Sequence, residues 1–427
     1  MHDDVRQALG TALNAALQAL QSLSLPVDTY LIWRKNEAGG WAGTYELRPN
    51  FSPIYAALDW EALGRDLGEA IRRHHPAYLG TVGSSVFGTL RLTPSWVLQQ
   101  SVVHLGKLHR SLSVPQAAID AVVQEFAAFV DGPTIPMSLA APLVNFRTDE
   151  SVDKIDLPKG LAIRRLSEDE VSDIHGGNVG LLPWLPRPTI IQMCEFALAG
   201  DFSEIKLVGE GLLPQVSQAF QEVQDSLSRA VLALRTFKTG QIGFYGFRLR
   251  PKGFCPVPGT TSYGVEQIPI GSYQLAGAEI QAFVDHARAI FSPLHASLEM
   301  ACSRLADAET RRQQRDRLLD AVIGLEAVFL ANVGKEEYRG EMRYRFSLNY
   351  STLYDAPADR LEAFRVARSL YDLRSRLAHG GAVSAMSEKL GSEKLPLAEA
   401  ALRGMRNPPN DDSKIPHKRG SASLPRP

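Results

Sequence analysis

An arginine and a histidine near the C-terminus have the residue types of a proton-transfer site. Arg374 and His379, with four residues between them, close a long amphipathic segment. A histidine imidazole accepts and donates protons near neutral pH, and the negative end of a helix macrodipole favours its protonated form. We therefore take Arg374 and His379 as the candidate catalytic pair, with Tyr371 and Ser375 as supporting residues.

The segment that carries this pair has the pattern of a helix over 357–378. Pro357 favours its start, and Gly380 with Gly381 favours its end. At about 100° per residue, one arc of the helix is apolar. Arg374 lies in the middle of that arc and His379 on the polar side, and the arc consists of Ala363, Phe364, Val366, Ala367, Leu370, Tyr371, Leu373, Leu377 and Ala378.

The spacing keeps the two side chains apart. Five positions along a helix correspond to about 140°, so Arg374 and His379 do not converge within one straight helix. Two alternatives remain. Either the helix loosens at Gly380, or each group meets its copy across a dimer interface.

An acidic residue on another helix offers a partner for the arginine. Glu326 lies near the centre of the apolar arc of Leu318–Leu330. A charge on a buried face is very costly unless an opposite charge pairs with it. We predict that Glu326 and Arg374 meet inside a helical bundle, where the planar guanidinium allows a bidentate contact.

Composition narrows the class of protein. The chain has 427 residues, 44% hydrophobic and 22% charged, with a net charge of -1. This profile predicts a water-soluble protein of two or three domains, and it gives no global attraction to nucleic acid. The sequence contains no run of about 18 apolar residues, so we predict no membrane span. Three scattered cysteines predict a reducing, cytoplasmic location and no zinc or disulfide framework, and nothing indicates a cofactor or a metal.

The order of patterns predicts an α+β protein with an all-α C-terminal part. We expect four regions: an N-terminal α+β region (1–135), a middle α+β region that could sense or regulate (136–276), a helical bundle (277–405) and a disordered basic tail (406–427). The N-terminal region should hold helices at 3–24, 59–74 and 114–131, and a hairpin that turns at Asn36–Gly40. The middle region should hold a helix near 214–237 and strands near 137–146, 160–166, 189–198, 204–211, 241–250 and 261–270. The bundle should hold helices at 277–292, 295–331, 337–354 and 357–378.

Two further features of the sequence, a group of arginines and a glycine-rich stretch, also have an ordinary structural explanation. Four arginines, Arg311, Arg312, Arg315 and Arg376, are weak candidates for RNA contacts, and the bland alternative is a solvated helix face. The stretch His175-Gly-Gly-Asn-Val-Gly has the glycine content of a phosphate loop but lacks its lysine and spacing, so we interpret it as a turn.

Three C-terminal segments resemble a known family. They are RDRLLDAVIGLEAVFL (315–330), EMRYRFSLNYSTLY (341–354) and RVARSLYDLRSRLAHG (365–380). In this order they resemble the HEPN domain, in particular its Apea-like subtype, over roughly 295–405. The resemblance implies a bundle of four to five helices that dimerises, with the arginine and histidine of both subunits in one cleft. The chain departs from many active members at Ser375, where they carry Asn, Asp or His.

The family resemblance implies a metal-independent cleavage of RNA. The 2′-OH of RNA is an internal nucleophile, so one base and one acid suffice. Two copies of His379 would supply them, and two copies of Arg374 would stabilise the phosphate. The product would carry a 2′,3′-cyclic phosphate or a 3′-phosphate.

Three functional hypotheses follow. The first is an endoribonuclease effector of bacterial anti-phage or abortive-infection defence, a homodimer through its C-terminal helical domain, with tRNA or mRNA as substrate. The second is a non-catalytic HEPN module for dimerisation or for binding of nucleotides or RNA. The third is an enzyme with its chemistry in the first 275 residues, where no Ser/His/Asp, zinc or phosphate-loop pattern supports it.

Overall fold

The computed structural model describes most of the chain. The described residues are 1–37, 40–84, 88–175, 194–209, 218–244, 246–257, 260–263, 271–311, 313–331, 341–379, 395–396 and 398–403. Sheets lie in the N-terminal and middle parts and helices dominate the C-terminal part, so the α+β class is confirmed.

Contacts divide the chain into two compact units. The first comprises Met1–Ala230, Ile242–Ile268 and Gln274–Gly277, and the second comprises Val231–Gln241, Pro269–Tyr273 and Ala278–Pro427. The predicted start of the helical region at 277 lies next to this division, whereas the predicted boundary at 135 falls inside the first unit.

Eight α-helices among the described residues begin in the first unit, and the last of them continues past Ala230 into the second. Their bounds are α1 Asp3–Leu20, α2 Ile54–Ala57, α3 Trp60–Leu63, α4 Arg65–His74, α5 Pro94–His109, α6 Gln116–Asp131, α7 Glu168–His175 and α8 Gln218–Phe237. Helix α1 buries Val5, Leu9 and Leu13, which recur at helical spacing, against α4, α5 and α6. The apolar stripe predicted for the first helix is therefore the face that packs against these three helices.

Strands supply the rest of the first unit, and the last of them begins at Tyr273, which belongs to the second unit. Their bounds are β1 Val27–Lys35, β2 Trp41–Pro49, β3 Thr81–Ser84, β4 Gly88–Arg91, β5 Thr134–Val144, β6 Phe146–Thr148, β7 Lys154–Asp156, β8 Leu161–Arg165, β9 Phe196–Ile205, β10 Leu207–Val208, β11 Gly243–Phe244, β12 Gly246–Pro251, β13 Thr260–Tyr263 and β14 Tyr273–Leu275. The largest sheet runs β13-β12-β5-β9-β8-β7, with β11 also on β5, and its pairings are antiparallel. The hairpin predicted around Asn36–Gly40 is confirmed as β1 paired with β2.

The second unit is a bundle of helices in its described part. Their bounds are α9 Ile280–Phe291, α10 Ala296–Thr310, α11 Gln314–Phe329, α12 Met342–Ser351 and α13 Pro357–Ala378, and residues 395–396 and 398–403 are also helical. Its core includes Leu305, Leu325, Phe346, Leu370 and Leu377. None of the helices that the structure describes is long and apolar enough for a membrane crossing.

The prediction of one helix over 295–331 is wrong. The chain leaves the helical conformation at Arg311 and at Gln313, and α10 packs beside α11 instead of continuing into it. The break lets Leu305 on α10 and Leu325 on α11 share one core, which a straight helix could not achieve.

Smaller differences have local causes. The segment predicted at 59–74 is interrupted at Gly64, where a Cβ would lie 3.0 Å from the carbonyl oxygen of Trp60. Helix α1 ends at Leu20, before Pro26, and α5 was not predicted. The segments 176–193, 264–270 and 404–427, with parts of two predicted strands, the glycine stretch and the predicted tail, lie outside the described residues.

Candidate active site at the end of helix α13

Helix α13 positions both members of the candidate pair. The extended backbone of Ala356 precedes Pro357 at the first helical position, where the missing N–H of proline costs nothing. The helix buries six of the residues predicted for its apolar arc: Ala363, Val366, Ala367, Leu370, Leu373 and Leu377. The prediction for 357–378 is confirmed at both ends.

The predicted ion pair between Glu326 and Arg374 is present. Glu326 Oε2 lies 3.3 Å from Arg374 Nη2. The contact is not bidentate, because Glu326 Oε1 and Arg374 Nε have no hydrogen-bond partner among the described residues. The side chains are 17% and 30% exposed, so the pair lies at the rim of the bundle and not, as predicted, at the centre of its buried face.

Burial dominates the electrostatics of this pair. It raises the pKa of the Glu326 carboxyl, and the attraction of Arg374 only partly offsets that effect. Tyr371 packs its ring 5.7 Å from that of Phe346, centre to centre. Burial, together with the nearby charge of Glu326, raises the pKa of the Tyr371 hydroxyl. The environment of Arg374 therefore stabilises the pair less than the contact distance alone suggests.

His379 is exposed at the end of the same helix. It is the C-terminal cap of α13, and its backbone N–H donates to the carbonyl oxygen of Ser375 at 3.2 Å. The helix stays regular through Ala378, so the angular separation of about 140° from Arg374 is retained. One helix therefore does not bring the two side chains together, and Gly380 lies outside the described residues.

A second arginine reaches this helix end from a neighbouring helix. Arg315, in the first turn of α11, donates from Nη2 to the carbonyl oxygen of Leu377 at 3.0 Å. Arg376 is exposed on α13, two residues before that helix ends at Ala378. We call Arg315, Arg376 and His379 the helix-end cluster. Arg376 lies in the last turn of α13, His379 caps it and Arg315 contacts its backbone there. At this end the negative pole of the helix dipole favours cations.

Two other arginines predicted to contact RNA are Arg311 and Arg312. Arg311 Nε lies 2.7 Å from Asp320 Oδ2, and this contact raises the pKa of the guanidinium. Asp320 is buried and also contacts Arg304 at 3.2 Å. Arg311 therefore forms an ion pair at the break between α10 and α11, and its assignment to RNA contacts stays a prediction. Arg312 lies outside the described residues.

The second unit contains a buried charge network that was not predicted from the sequence. Glu309 and Glu399 are buried, and Arg317 and Arg403 each contact both of them. Burial, together with the nearby charge of Glu399, raises the pKa of Glu309 more than the two arginines lower it. A signal was present, since Glu309 continues the buried stripe of α10 one turn after Leu305.

The chain contains a second pair with comparable spacing, Arg288 and His295. Arg288 lies in the last turn of α9 and contacts Asp285 at 2.5 Å, whereas His295 caps the start of α10. A helix break thus separates this pair, and each residue has a local structural contact.

Known proteins provide no relative for this site. Comparisons with models of protein families, with curated proteins and with solved structures found no match. The likeness to the HEPN domain therefore depends on the three sequence segments, and its functional consequences belong to the proposal that follows.

Proposed function

We propose that this protein is a metal-independent endoribonuclease of the HEPN type, an effector of bacterial anti-phage defence that acts in the cytoplasm as a homodimer. The observation that carries the proposal is the helix-end cluster. His379 is exposed at the end of α13, and Arg315 contacts the backbone of Leu377 two residues earlier. Arg374 and Arg376 lie on the same helix. This is the set of groups that cleavage of a phosphodiester by its own 2′-OH requires.

Each group has a defined part in the reaction. One His379 accepts the proton of the 2′-OH, and the 2′-oxygen attacks the adjacent phosphorus. The bond from phosphorus to the 5′-oxygen breaks as the second His379 donates a proton to that oxygen. The guanidinium groups stabilise the crowded phosphate through charge-assisted hydrogen bonds. The products are a 2′,3′-cyclic phosphate and a 5′-hydroxyl.

Geometry supports the need for a second copy. Arg374 and His379 point about 140° apart on a regular helix, so a single copy does not offer both to one phosphate. A two-fold axis near the end of α13 would place the histidine of one subunit opposite the arginine of the other. The RNA, which could be tRNA or mRNA, would then lie across the interface.

One observation favours a second function. Arg374 already contacts Glu326, so it can serve the bundle as a structural ion pair. In that case the C-terminal unit is a non-catalytic HEPN module that dimerises or binds nucleotides or RNA, and His379 merely ends a helix.

The test compares the wild type with His379→Ala in bacteria, with and without phage challenge. We expect the wild type to slow growth and fragment RNA, and the variant to do neither. The fragments should end in 2′,3′-cyclic phosphates. His295→Ala is the matched control, since this exposed histidine of the second unit lies at the start of α10 and not at the end of α13.

Light scattering on the purified proteins completes the test. A wild-type dimer that leaves RNA intact under phage challenge would support the non-catalytic module. A strict monomer, or cleavage that persists in His379→Ala, would contradict the composite site.

A further inference from the structure

Two histidines and an aspartate converge in the first unit, on residues that the proposed function does not use. His2 caps the start of α1, Asp4 lies in the first turn of that helix, and His74 is the last residue of α4. The two helices pack against each other. Among the described residues, these three form a group whose potential ligand atoms, one from each, lie within 4.8 Å of one another.

The distances fit a small coordination sphere. His74 Nε2 lies 3.1 Å from Asp4 Oδ2, and His2 Nδ1 lies 3.6 Å from Asp4 Oδ1. Tetrahedral zinc with bonds of about 2.0–2.1 Å holds its ligand atoms about 3.3 Å apart. Both contacts are thus within about 0.3 Å of that separation. They involve the two different oxygens of Asp4, so the carboxylate binds through both or turns to offer one.

The donor set selects the class of ion. Imidazole nitrogens suit Zn²⁺, Ni²⁺ and Co²⁺, whereas Mg²⁺ and Ca²⁺ prefer oxygen ligands throughout. Three protein ligands leave a fourth tetrahedral position for water. The negative pole at the end of α4 favours a cation beside His74, whereas the positive pole at the start of α1 opposes one, so the helix dipoles do not decide the site.

Three rearrangements accompany binding. A metal on His2 Nδ1 replaces the hydrogen bond that this nitrogen accepts from the backbone N–H of Asp4 at 3.3 Å. The rings of His2 and His74 are stacked, 3.7 Å apart and 5° from parallel. Because an imidazole binds a metal in the plane of its ring, the stack must open, and His2 has room to rotate since its side chain is 52% exposed. Arg73 contacts Asp4 at 3.7 Å, and this exposed cation would give way to the metal.

We infer that His2, Asp4 and His74 form a binding site for a divalent transition-metal ion of the zinc or nickel type. The ion connects the start of α1 to the end of α4 and so stabilises the packing of these helices. His75 lies next to the site, and its Nε2 accepts the backbone N–H of His2 at 3.5 Å. It orients the His2 backbone and is not needed as a ligand.

The experiment uses full-length, metal-free protein without a polyhistidine tag, titrated with Zn²⁺, Ni²⁺ and Mg²⁺ by calorimetry. We expect one saturable site for Zn²⁺ and for Ni²⁺, and no binding of Mg²⁺. All five tryptophans fall within the first unit, so melting followed by tryptophan fluorescence reports on it. A saturating excess of Zn²⁺ should raise that melting temperature by about 5 °C.

Matched variants decide the assignment. His74→Ala and His2→Ala should each bind Zn²⁺ at least about tenfold more weakly, since even the loss of a residue that only orients a ligand costs that much. His2 is exposed, so its variant stays folded if His74→Ala does not. His379→Ala is the control and should bind as the wild type does. Absence of saturable Zn²⁺ binding, equal binding of Mg²⁺, or unchanged affinity in both site variants would overturn the inference.

Discussion

Removing either member of the Glu326–Arg374 pair should have unequal effects on stability. The two substitutions are Arg374→Met, which keeps most of the apolar stem, and Glu326→Gln, which keeps the shape of the carboxylate. Glu326 is the more deeply buried of the two side chains. An isolated charge on Glu326 should therefore cost more than an isolated charge on Arg374.

The distance between Glu326 and Arg374 sets the size of their electrostatic attraction. At 3.3 Å, two unit charges attract by about 5 kcal/mol at an effective dielectric constant of about 20. Burial still keeps the pKa of Glu326 above its ordinary value, so desolvation of the carboxylate exceeds this attraction. Breaking a fully buried pair by removing one partner costs about 3–5 kcal/mol, and partial exposure reduces this. We expect a loss of about 2 kcal/mol for Arg374→Met and less than about 1 kcal/mol for Glu326→Gln.

The first loss should depend on pH. A carboxyl whose pKa is raised by folding stabilises the fold when protonated, below its ordinary pKa of 4.5, and that stability is lost as the pH rises through the folded-state pKa. Without Arg374 the pKa of Glu326 rises further. Arg374→Met should therefore approach wild-type stability near pH 4.5 and show its full loss near neutral pH.

The two units provide an internal reference for the assay. Tryptophan fluorescence reports on the first unit, whereas circular dichroism also includes the helices of the second. The melting temperature from circular dichroism should fall by about 4–8 °C in Arg374→Met, while the fluorescence transition stays in place. Arg376→Met, an exposed substitution on the same helix, should change neither.

A double variant tests the reasoning itself. If the charges interact, the losses of Arg374→Met and Glu326→Gln combined should be smaller than the sum of the single losses. Strict additivity would show that the two groups do not interact. A larger loss for Glu326→Gln than for Arg374→Met would refute the argument from burial.

Two predictions concern the first unit. Gly106→Ala should lower its melting temperature, because the new Cβ would lie 2.5 Å from the Phe51 ring, and overpacking of about 1–3 kcal/mol exceeds the gain in helix propensity of about 1 kcal/mol. Gly10→Ala is its control, since the nearest atom there is 3.9 Å away, and a comparable fall in that variant would rule out the steric explanation. The contact with Arg164 lowers the pKa of Glu170 to about 2, so the pair stabilises the fold above the ordinary pKa of 4.5 and loses this effect as the pH falls toward 2. Both side chains are about one-third exposed, so Glu170→Gln should cost about 1 kcal/mol near pH 6 and almost nothing near pH 2.5, and a loss independent of pH would contradict the assignment.

The candidate site shows which features local pattern could predict. The bounds of α13 followed from Pro357 and from apolar residues at helical spacing, both of which are local signals. The Glu326–Arg374 contact followed from a rule about charges on apolar faces, so it could be proposed without coordinates. Its position at the rim, and its single point of contact, depend on how α11 and α13 cross. No pattern within either helix contains that information.

The fold shows the same limit at larger distances. Helix α5 had a usable start signal, since Thr93 accepts the N–H of Trp96 and Pro94 occupies the first turn. The break between α10 and α11 had no comparable signal, because the residues around Arg311 suit a helix. The contact of Arg311 with Asp320 and the shared core stabilise the reversal of the chain, but they form only after the two helices have packed.

The sequence by itself determined the α+β fold class, most of the helices, the β1–β2 hairpin and the identity of the charged pair on α11 and α13. These features depend on the spacing of residues within about 20 positions, where helix and strand geometry is fixed. Only the tertiary structure decided that Arg315 lies at the end of α13, that Glu309 is buried among arginines and that His2 lies beside His74. Each of these contacts joins residues more than 60 positions apart, or depends on the burial of a whole helix face. Their energies come from desolvation and packing, which exist only once the chain has folded.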